Sequence, residues 1–306
     1  MIQVKNISKS FDTIQAVKDI SFHIKEGEIF GLLGPNGAGK STTINMLSTI
    51  LQSDSGSIFI AGIDVKLQTR SCKELIGVVP QEISLYEELS AFDNLLFWGK
   101  LYAVEPKVLR SKIDSILELI GLLDRKNDLI KTFSGGMKRR INIAAAILHQ
   151  PKVLFMDEPT VGIDPQSRNK IFEVIETLNK QGMTIVYTSH YMEEVERLCN
   201  RIAIVDSGEI IAQGTQQELQ KLANVSEKIE LEFEVISKEI FQEFKNRVAY
   251  NVRQKKHAIL IECTIKNLPE IITTCNALAL KIKDINVQKA NLETVFLSLT
   301  GKQLRD

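Results

Sequence analysis

The spacing of apolar residues predicts strands and helices that alternate along the first part of the chain. Residues 1–7 are apolar at alternate positions, and residues 27–33 form a short, mostly apolar run directly before a glycine-rich segment. Both patterns predict β-strands. A helix is expected to begin within the glycine-rich segment and to include Ile44, Met46 and Leu47.

A mainly helical region then interrupts this alternation. From about residue 83 to residue 146, apolar residues recur at helical spacing with few strand signals between them, which predicts a helical subdomain inserted into an α/β core. The alternation resumes with strands at 152–156, 184–188 and 201–206 and helices at 166–180 and 192–199. Strands that alternate with helices predict an α/β fold with a mixed, mostly parallel sheet that is covered on both faces.

A different pattern begins near residue 226 and predicts a second domain. Residues 228–235 alternate strictly between charged residues and the apolar residues Ile229, Leu231, Phe233 and Val235, as in a strand with one solvated face. Further segments predict helices at 237–247 and 268–280, strands at 257–265 and 282–288, and a last helix carrying Leu292, Val295, Phe296 and Leu299. We therefore expect a first domain over residues 1–222 and a small accessory or regulatory α+β domain over 226–306, a size that can fold independently.

Composition narrows the class of protein. The 306 residues are 44% apolar and 25% charged, and 38 basic residues balance 38 acidic ones, so a general nucleic-acid binder with a basic excess is not expected. The four cysteines are far apart and predict reduced, mostly buried thiols of a cytosolic protein; they are Cys72, Cys199, Cys263 and Cys275. The N-terminus shows no secretory signal pattern, and the apolar runs fall far short of the ~18 residues that a membrane span needs.

The glycine-rich segment carries the strongest chemical signal. Residues 34–41 fit G-x-x-x-x-G-K-[ST] between a predicted strand and a predicted helix, the context of a phosphate-binding loop. In such a loop backbone N–H groups surround the β-phosphate, Lys40 pairs with the β- and γ-phosphate oxygens, and Ser41 offers its hydroxyl to Mg²⁺. The alternative is a glycine-rich turn without a ligand, which this context disfavours. The residues expected to contact the nucleotide here are Gly34, Pro35, Asn36, Gly37, Ala38, Gly39, Lys40, Ser41 and Thr42.

Two acidic residues follow the predicted strand at 152–156. Asp157 and Glu158 then lie at the carboxyl edge of the sheet, where open α/β sheets bind their ligands. Asp157 suits a water-mediated contact with Mg²⁺, and Glu158 suits a general base that polarises the attacking water. The alternative is a merely polar strand end.

These motifs, in this order and spacing, resemble the ATP-binding subunit of ABC transporters over about residues 2–220. Residues 134–137 look like the family's signature motif, and residues 161–165, which include Asp164, match its D-loop. Gln81 matches the glutamine loop and His190 the switch histidine, while Phe11 lies where the family has an aromatic residue that stacks on adenine. The family most often has Gln after the two glycines of the signature, where this chain has Met137.

Each of the shorter motifs also has an ordinary structural interpretation. Ser134 suits a helix N-cap, with Gly135 and Gly136 forming a glycine turn. Gln81 suits a turn residue after Pro80. His190 suits a hydrogen-bonded structural histidine, and Phe11 a core residue. The resemblance implies functional roles instead. Ser134, Gly135 and Gly136 contact the γ-phosphate held by another subunit, Gln81 ligates Mg²⁺ and reports nucleotide occupancy to the helical subdomain, and His190 holds the γ-phosphate and orients Glu158.

The resemblance implies an ATPase that binds ATP and Mg²⁺ and powers a separately encoded membrane permease. Because the chain has one phosphate loop and one signature motif, it is expected to pair with a second ATP-binding subunit, most simply another copy of itself, at the cytoplasmic face of the membrane.

Residues 291–301 and 134–140 look like the drug-resistance subgroup that works with ABC-2-type permeases, which implies export. Residues 82–98 mix aromatic and acidic side chains, as a groove for a permease helix would, although two of Phe92, Phe97 and Trp98 are expected in the core. The alternatives are a soluble ABC ATPase of DNA repair or translation and a non-catalytic regulatory subunit; the presence of Glu158 and His190 argues against the latter.

Overall fold

The chain forms two compact units. The computed structural model describes residues 1–223, 225, 227–288 and 290–301, and these divide into Met1–Thr215 and a second unit that begins at Gln216. Residues 216–222, which lie in the first domain as predicted from the sequence, group with the second unit because the helix they form packs against the helix at Leu292–Thr300.

The first unit alternates strands and helices among its described residues. Its strands are β1 (Ile2–Phe11), β2 (Ile14–Ile24), β3 (Ile29–Leu33), β4 (Ser55–Ile60), β5 (Ile63–Asp64), β6 (Ile76–Val79), β7 (Val153–Asp157), β8 (Thr184–Ser189), β9 (Arg201–Asp206) and β10 (Glu209–Gly214). Its helices are α1 (Lys40–Leu47), α2 (Thr69–Leu75), α3 (Ala91–Leu101), α4 (Pro106–Leu119), α5 (Gly135–Ile147), α6 (Pro165–Lys180) and α7 (Met192–Leu198). Helices α3, α4 and α5 lie in the predicted helical region, and β7 to β9 match the predicted strands within one or two residues.

The central sheet has the order β10-β9-β3-β8-β7-β6, in which only β10 runs antiparallel to its neighbour. This confirms the mixed, mostly parallel sheet. Leu33 pairs with Ser189, and Asp157 pairs with Thr188, so β3, β7 and β8 end at the same level. Ligand sites of open parallel sheets lie at this carboxyl edge, and the residues that directly follow the three strands carry the candidate chemistry.

A second sheet, with the order β2-β1-β4-β5, is antiparallel and was not predicted. It covers one face of the central sheet. The evidence is that alternate residues of β7 pack in two different hydrophobic cores, one on each face of the central sheet. Val153 and Phe155 pack in the core that contains Ile2 and Ile60, whereas Leu154 lies in the core shared with the helical region. The central sheet is therefore buried on both faces, as its near-continuous apolar strands require.

The second unit has a β-α-β-β-α-β order. After α8 (Gln216–Leu222) come β11 (Lys228–Phe233), α9 (Lys238–Arg247), β12 (Asn251–Lys255), β13 (Ala258–Glu262), α10 (Leu268–Ala277), β14 (Ile282–Gln288) and α11 (Leu292–Thr300). The strands form an antiparallel sheet ordered β12-β13-β11-β14, a split βαβ arrangement. Ile229, Leu231 and Phe233 are buried as predicted. Val235 is not: it is 76% exposed, because β11 ends at Phe233 and Ile236 enters the core instead.

Candidate functional site

The phosphate loop connects β3 to the first turn of α1. Gly39 is the N-cap of α1 and has φ 99°. A side chain there would also collide with the backbone, because a Cβ would lie 2.5 Å from the carbonyl oxygen of Ala16. Only glycine fits this position without strain. The loop therefore presents the N-terminal N–H groups and the positive end of the α1 dipole to one side, which favours an anion.

Lys40 is held inside the loop that precedes it. Its side chain is 4% exposed, and its Nζ donates to the carbonyl oxygens of Gly34 (2.9 Å) and Pro35 (3.1 Å). The same Nζ lies 3.1 Å from Glu158 Oε1. Because the ammonium is fixed rather than solvated, it provides a positioned positive charge at the mouth of the loop.

Glu158 links the phosphate loop to β8. It follows β7 directly with φ 45°, in the left-handed region that non-glycine residues rarely adopt. Its backbone N–H donates to Thr188 Oγ1 (2.9 Å), and that hydroxyl donates to Asp157 Oδ1 (2.7 Å). His190 Nδ1 lies 3.0 Å from Glu158 Oε2. The two carboxylate oxygens thus face a lysine and a histidine inside a nearly buried site, where a general base can be oriented.

An open pocket of about 380 Å³ brings together nine of the eighteen predicted site residues. Phe11, at the end of β1, is 47% exposed and borders this pocket, which excludes its alternative interpretation as a core residue. Gln81, which follows β6, borders it as well. The full lining is Phe11, Ala16, Asn36, Gly37, Gly39, Lys40, Ser41, Thr42, Gln81 and Glu158.

The signature residues lie elsewhere on the first unit. Ser134 caps α5 by accepting from Met137 N (3.3 Å), so its N-cap interpretation is correct. It lines a separate open pocket together with residues of α6, including Ser167. Gly136 is required by packing, because a Cβ there would lie 2.3 Å from Ser167 Cβ. The start of α5 is therefore pressed against the start of α6 and does not face the phosphate loop of its own chain.

Asp164 begins α6 and completes this second region. Its side chain accepts from Ser167 N (2.9 Å), and the hydrogen bonds from Ser167 lower the pKa of the Asp164 carboxyl below its usual value. An exposed N-cap carboxylate at the start of a helix remains negative and available to a partner.

Sequence reasoning missed the residues that support the site from below. Thr188 positions Asp157 and the Glu158 backbone. The buried carboxylate of Glu194 accepts hydrogen bonds from Thr160, which follows β7, and from Ser189, the last residue of β8. One signal could have identified Glu194: Val195 and Leu198 are the buried apolar residues of α7, and a glutamate four residues before Leu198 lies on the same face of the helix.

A phosphate-binding helix N-terminus, a buried lysine and a strand-end carboxylate beside a histidine define a phosphate-loop nucleoside triphosphatase. Lys40 and Glu158 border the same pocket with their charged groups 3.1 Å apart, an arrangement suited to binding phosphate groups beside a general base.

Comparisons with known proteins define the family. Residues 17–161 match the ABC transporter family model. The chain is 47% identical over 311 residues, covering 100% of both chains, to the linearmycin resistance ATP-binding protein LnrL of Bacillus subtilis (strain 168). It is 35% identical over 305 residues to the Nod factor export ATP-binding protein I of Burkholderia pseudomallei (strain 1710b), covering 100% of this chain and 98% of that one.

The fold agrees with solved structures of this family. The first unit resembles the dimeric, post-hydrolysis ATP-binding cassette MJ0796 bound to ADP and Pi, with a TM-score of 0.65 and 26% identity over 70% of this chain and 98% of that one. The chain therefore belongs to the ABC transporter family as an ATP-binding subunit, and it hydrolyses ATP.

Proposed function

We propose that two copies of this chain power export through a separate membrane permease, each ATP being closed between the phosphate loop of one copy and the signature motif of the other. The observation that carries the proposal is the separation of these two regions within one chain. The pocket at the phosphate loop contains Glu158 and Gln81, whereas Ser134 lines a different pocket beside α6. The dimeric form of the MJ0796 cassette supports this pairing.

Within each composite site the residues take distinct roles. Phe11 stacks on the base, since its ring is exposed at the pocket edge. Glu158 accepts the proton of the attacking water, and His190 contacts the γ-phosphate while its Nδ1 holds Glu158. Ser134, Gly135 and Gly136 of the second copy approach the γ-phosphate, and its Asp164 lies at their side.

The same site suits Mg²⁺, which prefers oxygen ligands and is usually held by few protein groups together with phosphate oxygens. The Ser41 hydroxyl borders the pocket, and Asp157 is fixed at the strand end by Thr188. Ser41, Asp157 and Gln81 would hold the ion, which neutralises charge on the β- and γ-phosphates. These donors fit a magnesium site.

The permease partner is proposed to dock on the segment that precedes and includes α3. Tyr86 is 51% exposed and Phe97 39% exposed, and their rings meet edge to face at 5.0 Å. Phe92 and Trp98 instead pack against the core, as expected for two of the three aromatic residues.

None of the described helices is long and apolar enough to cross a bilayer. We place the protein at the cytoplasmic face of the membrane, bound through this surface.

The cargo class follows from the relatives. One confers linearmycin resistance and another exports Nod factor, so export of a small molecule, with antibiotics first among candidates, is the proposal. A soluble ATPase of DNA repair or translation has no comparable support among these relatives.

Affinity purification from detergent-solubilised membranes tests the proposal. Wild-type chain is expected to retain one integral membrane protein of permease size. Tyr86→Glu with Phe97→Glu is expected to reduce that recovery at least tenfold with ATP affinity unchanged, because charge is placed on an apolar contact. The matched control is Ile50→Glu, another exposed apolar position remote in sequence. The absence of any membrane partner would favour the soluble alternative, whereas equal recovery with wild type and the double variant would refute docking at Tyr86 and Phe97.

A further inference from the structure

A buried carboxylate is hydrogen-bonded to the segments that carry Glu158 and His190. Glu194 of α7 is 2% exposed, yet it plays no part in the chemistry assigned above. Its carboxylate accepts hydrogen bonds from Thr160 Oγ1 (2.8 Å), Tyr187 OH (2.8 Å) and Ser189 Oγ (2.9 Å). Arg168 Nε lies 3.4 Å away. A buried charge is retained only with such a set of partners, since desolvation costs several kcal/mol.

The partners of Glu194 come from the segments that carry the catalytic groups. Thr160 lies two residues after Glu158, and Ser189 directly precedes His190. Ser189 Oγ also accepts from Tyr191 N (2.9 Å), so the residues on both sides of the histidine are fixed through one hydroxyl that is bound to Glu194.

Arg168 extends the network to α6. Its guanidinium lies over the ring of Tyr191 at 5.2 Å, and that ring lies 4.1 Å from the imidazole of His190. Since α6 begins at the Asp164 N-cap, one carboxylate joins the residues around Glu158 and His190 to the helix that presents Asp164.

The Tyr187 hydroxyl of this cluster stays protonated. Burial, followed by the nearby charge of Glu194, raises the pKa of the Tyr187 hydroxyl well above its ordinary value. Tyr187 therefore remains a donor at every physiological pH. The three hydroxyl donors converge on one carboxylate, which fixes the directions of all three hydrogen bonds.

We propose that Glu194 is a positioning residue for ATP hydrolysis: its buried carboxylate fixes His190 against Glu158 and ties both to the α6 segment that begins at Asp164. The proposal rests on the roles given above to Glu158 and His190. It implies that Glu194 acts on the turnover step through His190 and contributes little to nucleotide binding.

Steady-state ATPase kinetics on the purified chain test this. Glu194→Gln keeps the size of the side chain but places an amide among three hydroxyl donors. It is expected to lower kcat by about 10- to 100-fold through misplacement of His190, with KM for ATP unchanged within about twofold. Glu193→Gln, on the same helix but exposed, is the matched control and is expected to retain the wild-type rate.

A double-mutant cycle separates positioning from a general structural effect. If Glu194 acts through His190, adding Glu194→Gln to the His190→Ala variant is expected to lower kcat by less than about a further twofold. Ser189→Ala removes only the link next to His190, and it provides a second variant if Glu194→Gln proves unstable. It is expected to lower kcat in the same non-additive way.

The outcomes distinguish the inference from the proposed function. A normal rate for Glu194→Gln and Ser189→Ala, or losses that multiply with His190→Ala, would overturn the inference while the catalytic role of His190 stands. A normal rate for His190→Ala would refute that role, and the inference with it.

Discussion

At the scale of single residues, the environment of Glu158 decides what the site can do. One carboxylate oxygen faces the Lys40 ammonium at 3.1 Å and the other faces His190 at 3.0 Å. The Glu158 backbone is held in a left-handed conformation by the bond to Thr188. Both carboxylate oxygens are therefore held in place, so the side chain already has a fixed conformation before the reaction. This is the preorganisation that a general base requires.

Replacing Glu158 with glutamine tests this assignment. The amide fits the same space but cannot accept a proton, so hydrolysis is expected to fall by about 10²- to 10⁴-fold. ATP affinity should change little, because Lys40 keeps its bonds to Gly34 and Pro35. Turnover and ATP-dependent dimerisation by light scattering are the measurements, with the exposed Glu26→Gln as the control. A rate close to wild type would show that another group is the base.

The sequence predicted the residues of this site unequally well. The phosphate loop and the Asp157–Glu158 pair can be identified because their neighbours in sequence define their context. Thr188 could not be identified in this way, since a threonine in a buried strand is common and its role depends on β7 lying beside β8. Sequence spacing does not contain such pairings.

At the scale of elements, α5 does more than present the signature motif. Arg139, on the second turn of α5, is buried and donates from Nη1 to the Pro80 carbonyl (2.6 Å), and its Nη2 bonds the carbonyl of Gln81. Burial lowers the pKa of its guanidinium. One turn further on, Asn142 accepts from Ser84 N (3.3 Å). The helix that begins at the signature thus holds the backbone of the segment that follows β6.

Substitution of Arg139 should reveal this support. Arg139→Leu leaves two carbonyls without their donor, and the free energy of unfolding is expected to fall by about 1–3 kcal/mol. The matched control is Lys138→Gln, one residue earlier, which removes only an ion pair with the exposed Glu87 and should cost less than about 1 kcal/mol. Urea unfolding followed by circular dichroism measures both. Equal losses for the two variants would contradict the assignment.

Two of the elements that the sequence did not predict, β2 and β6, were missed for different physical reasons. Strand β2 pairs with β1 through several register shifts, and Asp19 within it has φ 50°. Bulges of this kind break the period of two on which strand prediction depends. β6 is only four residues long and lies at an edge of the central sheet, too short for a pattern to emerge. The long helices and central strands, by contrast, follow their apolar spacing.

At the scale of the whole molecule, the two halves of the ATP site lie on different parts of the first unit, so a single copy is incomplete under the proposed function. Two damaged chains should then repair each other. Lys40→Ala disables the phosphate loop, and Ser134→Arg blocks the signature region by size and charge. Each alone is expected to be inactive, but a mixed pair contains one site with an intact loop facing an intact signature.

An equal mixture of Lys40→Ala and Ser134→Arg, combined before ATP is added, is therefore expected to regain about one quarter of the wild-type rate, since half of the dimers are mixed and each has one good site of two. Lys40→Ala mixed with Glu158→Gln is the matched control. Both substitutions affect residues that border the same pocket, with Lys40 Nζ 3.1 Å from Glu158 Oε1, so each mixed pair has two defective sites and no recovery is expected. Recovery in the control as well would point to a trace contaminant, and a Lys40→Ala and Ser134→Arg mixture that stays inactive would refute the composite site. Recovery in that mixture alone requires that the loop of one chain works with the signature of another.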